Sequence, residues 1–138
     1  MMRVAIGLAV LLTACGGQAP APSGDAPVAL HDDLIGYATA SCLILQDNPY
    51  LQDQGQRWAG AIMQGAHGGT EKWAPVAAAV KTEFVTSGVA QGQGEGPQAP
   101  TVPLPVMTCA RIAAAPVVRK AIDLAAKSLA ADYQAPTQ

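Results

Sequence analysis

Three cysteines, Cys15, Cys42 and Cys109, constrain the fold of this 138-residue chain more than any other feature. An odd number of cysteines cannot be paired completely within one chain, so one thiol must serve a different chemistry from the other two. Cys42 and Cys109 lie far apart in the sequence. A bond between them would therefore join an early segment of the chain to a late one.

Cys15 ends a segment that is typical of bacterial lipoproteins. Arg3 gives a positive start, and the apolar run over 4–12 is shorter than the roughly 20 residues that span a bilayer. The sequence LTAC that ends at Cys15 resembles a lipobox, where signal peptidase cleaves before the cysteine and the thiol receives a diacylglycerol group. We therefore expect a lipoprotein signal peptide at 1–14 and lipidation, including palmitate, at Cys15. Secretion without an anchor is the alternative.

The anchor predicts a location in the bacterial envelope. The membrane is then a partner through Cys15, and the domain lies in the periplasm. Gly16 follows the cysteine where lipoproteins of the inner membrane tend to have Asp, which favours the outer membrane, facing the periplasm. Residues 15–30 are rich in Pro, Gly and Ala and predict a flexible tether.

With Cys15 assigned to the anchor, Cys42 and Cys109 remain as an even pair in an oxidising compartment. Such a pair predicts a disulfide. Closing a long loop would stabilise a small domain by roughly 4 kcal/mol. Two buried free thiols, or a metal site completed by His67, are the alternatives. No C-x-x-C or H-x-x-x-H spacing favours a metal, and the absence of C-x-x-C also argues against redox catalysis.

Composition and spacing predict an all-α fold, a small bundle of four to five helices stapled by one disulfide. Half of the residues are hydrophobic (50%) but only 4% are aromatic, so the core should be aliphatic, with Trp58, Trp73 and Phe84 as large anchors rather than a ligand cage. Apolar residues recur at helical spacing. The predicted helices cover 32–45, 49–64, 70–86, 105–115 and 116–131. The domain is expected at 31–133, followed by a tail at 134–138.

The segment 88–105, GVAQGQGEGPQAPTVPLP, interrupts this helical pattern. Its glycines and prolines predict that it contains no regular element. A loop of this length in a compact domain is either filler or functional. The GQGEG part lacks the lysine of a phosphate-binding loop.

Charge and residue chemistry exclude several classes of function. The net charge is −2 without a basic stripe, which argues against nucleic acid as a partner. His67 lies in a Gly-rich turn and His31 precedes the first helix, and neither belongs to a triad. Asp32 and Asp33 are explained as caps of that helix more simply than as a catalytic carboxylate pair. We therefore expect no enzyme, no metal and no cofactor, and a binding protein instead.

Two segments resemble a known family. They are GYATASCLIL (36–45) and VPLPVMTCARIAAAPVV (102–118). In the first, a Tyr-Ala pair precedes Cys42, and in the second an apolar-Met-x-Cys run ends at Cys109. Together they are similar to the type VI secretion amidase immunity family (Tai-type). The resemblance covers about 32–130, with GTEKWAPVAAAV falling on the Gly-containing turn and middle helix of that family.

The resemblance implies a small, all-helical periplasmic protein that binds and inhibits a peptidoglycan amidase effector of the type VI secretion system. It also implies a structural disulfide between Cys42 and Cys109, and a tendency to form homodimers. In the family a protruding loop occupies the groove of the enzyme, so we expect Gln91, Gln93 and Glu95 to contact the amidase. The loop here is longer and less charged than in the family. A structural or adaptor lipoprotein of the envelope is the alternative function.

Overall fold

The computed structural model describes residues 28–134. The expected signal peptide, the lipidation site Cys15, most of the tether and the tail at 135–138 lie outside the described residues. The helices are α1 (Val28–Ile44), α2 (Pro49–Gly65), α3 (Ala74–Ser87), α4 (Pro105–Ala114) and α5 (Pro116–Gln134). A 3₁₀ turn (Thr70–Lys72) precedes α3, and the strands β1 (Gln91–Gln93) and β2 (Thr101–Pro103) lie between α3 and α4. The predicted all-α class is confirmed, with this small strand pair as an addition.

Helix α1 lies at the centre of the bundle and contacts the other four helices. Leu30, Leu34, Ala38 and Cys42 follow one another at intervals of four residues and have no exposed surface. This spacing places them in one stripe along the helix. Against that stripe pack buried side chains from the later helices, namely Val76, Val80, Ile112, Val118, Ile122 and Leu129.

The start of α1 differs from the prediction. The helix begins at Val28, inside the expected tether, because Leu30 fills the core and the helix extends to include it. Asp32 and Asp33 consequently lie beyond the first turn of α1. The prediction that they cap the helix is therefore wrong.

Helix α2 packs on α1 through a close approach of the two backbones. A Cβ atom on Gly55 would lie 2.7 Å from the carbonyl oxygen of Ala40 and 2.9 Å from the backbone nitrogen of Ile44. Only a residue without a side chain fits at this crossing.

The two tryptophans have different environments. Trp73, at the start of α3, is fully buried and meets Tyr37 edge to face, with ring centroids 5.4 Å apart. Trp58 is 44% exposed and its ring lies over Gly36, so its predicted role as a core anchor is wrong. Phe84 is partly buried against the core. Because Gly36 has no side chain, the surface of α1 has a shallow depression there, and the Trp58 ring packs against it.

A disulfide joins Cys42 of α1 to Cys109 of α4. Both residues are fully buried, so the bond lies within the core between an early helix and a late one. The predicted disulfide is confirmed, and the alternatives of free thiols or a metal site at these cysteines are excluded. None of the helices in 28–134 is both long and apolar enough to cross a membrane.

Candidate protein-binding site

The Gly/Pro-rich segment between α3 and α4 contains a β-hairpin, which corrects the prediction that it has no regular element. The paired residues are Gln91 with Pro103, Gly92 with Val102, and Gln93 with Thr101, in antiparallel register. Each strand is three residues long. Strands this short carry no recognisable alternation of polar and apolar residues, and glycine and proline are depleted in strands generally. The pairing is therefore not evident from the pattern of residue types.

Backbone hydrogen bonds flank the paired strands at both ends. The Leu104 N–H donates to the Ala90 carbonyl at 2.8 Å, and the Gly94 N–H donates to the Pro100 carbonyl at 3.2 Å. In an antiparallel ladder, hydrogen-bonded pairs alternate with pairs that are not hydrogen-bonded. Ala90 with Leu104 and Gly94 with Pro100 are hydrogen-bonded pairs, so the pairs next to them, Gln91 with Pro103 and Gln93 with Thr101, are not. The backbone groups of these four residues therefore point away from the partner strand.

This alternation makes the two outer edges of the hairpin chemically different. On β1, Gln91 and Gln93 each offer an outward N–H and an outward carbonyl. On β2, Pro103 has no N–H to offer, and only Thr101 supplies an outward donor. The β1 edge therefore has the more complete set of backbone donors and acceptors for an additional strand.

Thr108 attaches the base of the hairpin to α4. Its hydroxyl accepts a hydrogen bond from the Ala90 N–H at 2.9 Å and donates one to the Leu104 carbonyl at 2.8 Å. Only 1% of Thr108 is exposed, and the next residue is the disulfide cysteine Cys109. The strands are therefore held directly beside the covalent link between α1 and α4.

Gln46 attaches the turn between α1 and α2 to the same disulfide. Its side chain is almost completely buried, and Nε2 lies 3.2 Å from the Cys109 sulfur and 3.5 Å from the Cys42 sulfur. The same Nε2 donates to the Cys42 carbonyl at 3.4 Å. The backbone carbonyl of Gln46 accepts a hydrogen bond from the Gln52 side chain at 2.8 Å. This turn and the base of the hairpin are thus fixed to one point of the scaffold.

A cavity of about 350 Å³, which we call the hairpin cleft, lies between this turn and the base of the hairpin. It is lined by Gln46, Asp47, Asn48, Val89, Gln91, Pro103 and Pro105. Asn48 is also the N-cap of α2, since its Oδ1 accepts a hydrogen bond from the Leu51 N–H at 3.1 Å. The cleft is not visible in the sequence, because its two sides are far apart along the chain and are brought together beside the disulfide.

The predicted contact residues occupy different parts of the hairpin. Gln91, Gln93 and Glu95 are all exposed. Gln91 and Gln93 are two residues apart on β1 and so share one face, and Gln91 lines the cleft. Glu95 lies in the turn between the strands, outside the lining of the cleft. Whether these residues bind a partner stays a prediction.

The residues weighed for catalysis lie elsewhere. His67 meets Tyr133 of α5 edge to face, with ring centroids 5.2 Å apart, and burial raises the pKa of the Tyr133 hydroxyl. Partial burial, reinforced by the adjacent Asp32, raises the pKa of Asp33. Within 28–134, no group of three or more His, Cys, Asp or Glu side chains is arranged to hold a metal ion.

Comparisons with protein families, curated proteins and solved structures found no match to this chain. The exposed hairpin and the adjoining cleft are the features of the molecule that bear on function. Both are built on the disulfide, and both present polar groups next to apolar surface, since Val102 on the hairpin is 44% exposed. Such a combination of a rigid base, exposed amides and exposed aliphatic carbon is suited to recognition of another protein.

Proposed function

We propose that this protein is a periplasmic immunity protein that binds and inhibits a peptidoglycan amidase effector of the type VI secretion system. The observation that carries the proposal is the exposed hairpin anchored beside the disulfide. An enzyme that cleaves peptides has a groove shaped for an extended chain, and an extended strand can occupy it. Because Thr108 fixes the base of the hairpin in advance, little conformational entropy is lost on binding.

The β1 edge supplies the contact. Gln91 and Gln93 present outward backbone groups in the spacing of an extended peptide, which supports pairing with a strand at the rim of the enzyme groove. Their side-chain amides add hydrogen-bonding groups on one face. The hairpin blocks the groove without acting as a substrate, since its ladder hydrogen bonds resist the distortion that cleavage requires.

The expected export and anchoring agree with this role. A lipid on Cys15 and the following tether would place the domain in the periplasm, where an amidase that attacks peptidoglycan must be met. The net charge of −2 favours approach to a basic enzyme. Accordingly, Cys15→Ser should move the protein from the membrane fraction to the soluble fraction.

The direct test uses an amidase encoded next to this gene. Mixing the two purified proteins should abolish hydrolysis of peptidoglycan, and the two should co-purify. Gln93→Pro removes one outward N–H from the β1 edge without removing a hydrogen bond to β2, and should weaken inhibition about tenfold. Thr101→Pro makes the same change on the opposite edge, directly across from Gln93, and should leave inhibition nearly unchanged.

The side chains are tested separately from the backbone. The double variant Gln91→Ala/Gln93→Ala should weaken inhibition. Gln54→Ala/Gln56→Ala, which truncates two exposed glutamines at the same spacing on α2, should not. Failure to bind the neighbouring amidase at micromolar concentration would contradict the immunity role. Co-purification with an envelope assembly instead would favour the adaptor role.

A further inference from the structure

We propose that the hairpin cleft binds the side chain of a lysine presented by a protein partner. The identity of that partner rests on the proposed function, whereas the chemistry of the cleft does not. The cleft contains hydrogen-bond acceptors, one carboxylate and an apolar wall. A primary ammonium group on an alkyl stem matches all three.

Two glutamines supply neutral acceptors. Within 28–134, the hydrogen bonds of the Gln46 side chain all use Nε2, which is held by the disulfide sulfurs and the Cys42 carbonyl, so Oε1 is left as an acceptor. Gln46 is only 2% exposed and is one of the residues that line the cleft. Gln91 is arranged in the same way, since its Nε2 donates to the Val89 carbonyl at 3.3 Å and its Oε1 is left to accept. An amide oxygen with a free lone pair can accept a hydrogen bond, which favours a ligand that donates.

Asp47 supplies the negative charge. It is exposed, it lines the cleft, and none of the ion pairs formed within the described residues uses it. Among the residues that the structure describes, no lysine or arginine belongs to the lining. A cation that enters therefore meets a carboxylate with no competing positive charge in the wall.

The remaining lining is apolar and fits an alkyl stem. Val89, Pro103 and Pro105 form this part of the wall, and prolines contribute no N–H that would compete for the acceptors. An ammonium carries three donors on a flexible four-carbon stem. Three donors can be shared among Gln46, Asp47 and Gln91, while the methylene groups contact the valine and the prolines. A volume of about 350 Å³ admits one such side chain.

The test uses a small probe, so it does not depend on the amidase. The full chain with its disulfide intact is titrated with Nα-acetyl-lysine methylamide while the side-chain amide resonances of Gln46 and Gln91 are followed by NMR. We expect saturable shifts of both resonances, weakened by added salt. The norleucine analogue keeps the stem and lacks the ammonium group, and should produce no saturable shift.

Two variants with the same change of charge separate local binding from general attraction. Asp47→Asn should weaken probe binding about fivefold. Glu95→Gln, on the same hairpin but outside the lining, should leave it unchanged. No shift with the lysine probe, equal shifts with norleucine, or equal weakening by both variants would overturn the proposal. Since inhibition of the amidase is measured separately, failure of the cleft proposal leaves the immunity proposal standing, and the reverse also holds.

Discussion

The helical core and the hairpin are held in place by different interactions. The core is a continuous cluster of fully buried side chains, such as Leu34, Val80 and Leu129. The hairpin has exposed strands and depends on a few hydrogen bonds around Thr108. Burying a large aliphatic side chain contributes about 1.5–3 kcal/mol, whereas a typical hydrogen bond contributes about 1 kcal/mol. The core therefore sets the stability of the fold, and the hairpin can change with little cost to that stability.

The disulfide is the point where the two regions meet. Cys42 belongs to the buried stripe of α1, while Cys109 follows Thr108, which holds the base of the hairpin. A change at the disulfide should therefore affect both regions. A change within the helical core, or within the hairpin and its contacts with Thr108, should affect that region only.

The largest effect is expected from Cys42→Ala/Cys109→Ala. The bond closes a loop with a sequence separation of 67, so its removal should lower the free energy of unfolding by about 4 kcal/mol. Denaturant unfolding measures this loss, and hydrogen exchange should show weakened protection in both the core and the hairpin. Cys15→Ser, which removes a cysteine outside the disulfide, should leave the unfolding midpoint unchanged. An unchanged midpoint in the double variant would show that the disulfide does not unite the two regions.

The second effect is confined to the core. Gly55→Ala places a methyl group against the backbone of α1, at 2.7 Å from the Ala40 oxygen, and should cost about 2 kcal/mol by forcing the helices apart. Gly60→Ala, in the same helix with nothing within 4 Å, should instead stabilise by about 0.5–1 kcal/mol. Thermal unfolding measures both, and hairpin protection should stay the same in each. Loss of hairpin protection in Gly55→Ala would contradict the separation of the regions.

The sequence was sufficient to predict the core but not the hairpin. Helical spacing of apolar residues identified the helices. The pairing of Cys42 with Cys109 followed from the expected oxidising compartment and from the even number of cysteines that remain once Cys15 is assigned to the anchor. The prediction that Trp58 lies in the core was wrong. Residue type alone does not reveal that Gly36 leaves a depression at the surface in which the Trp58 ring packs. The hairpin was missed because its strands are too short to show an alternating pattern, and because its base is held by Thr108 of α4, outside the strands.

The candidate site was predictable only in part. Gln91, Gln93 and Glu95 were selected from the protruding loop that the family resemblance implies, and all three are exposed. The place of Asp47 beside the hairpin was not predictable, since it depends on tertiary packing around Gln46 and the disulfide. An acidic residue directly before an N-cap carries no signal of such a cleft.

The third prediction isolates the hairpin. Thr108→Val removes the hydroxyl that accepts the Ala90 N–H and donates to the Leu104 carbonyl, leaving a partly buried donor without its acceptor. We expect a loss of about 1–2 kcal/mol, faster hydrogen exchange at both ends of the hairpin, and weaker inhibition of the amidase. Thr82→Val removes an exposed hydroxyl that bonds only to the Ala78 carbonyl and should be nearly neutral. Equal loss of protection across the α1 core would mean that the hairpin and the core unfold as one unit.

The smallest effect is expected at Asp33, in the core helix α1. Partial burial first, and the adjacent Asp32 second, raise the pKa of its carboxyl in the folded protein. The folded state therefore binds this proton more tightly than the unfolded chain, and the stabilisation is lost as the pH rises through the folded pKa. At pH 7 the charged carboxylate costs stability, so Asp33→Asn should raise the free energy of unfolding by about 0.3 kcal/mol.

The gain in Asp33→Asn should disappear near pH 3, where the carboxyl of the parent protein is itself neutral. Denaturant unfolding of parent and variant at both pH values measures this difference. Asp32→Asn relieves only the smaller, charge–charge contribution at Asp33, and should therefore give a smaller gain at pH 7. A gain of the same size at both pH values would assign the effect to helix propensity instead of charge. The hairpin should respond to none of these changes, because in 28–134 its hydrogen bonds join it to Thr108 of α4 rather than to this end of α1.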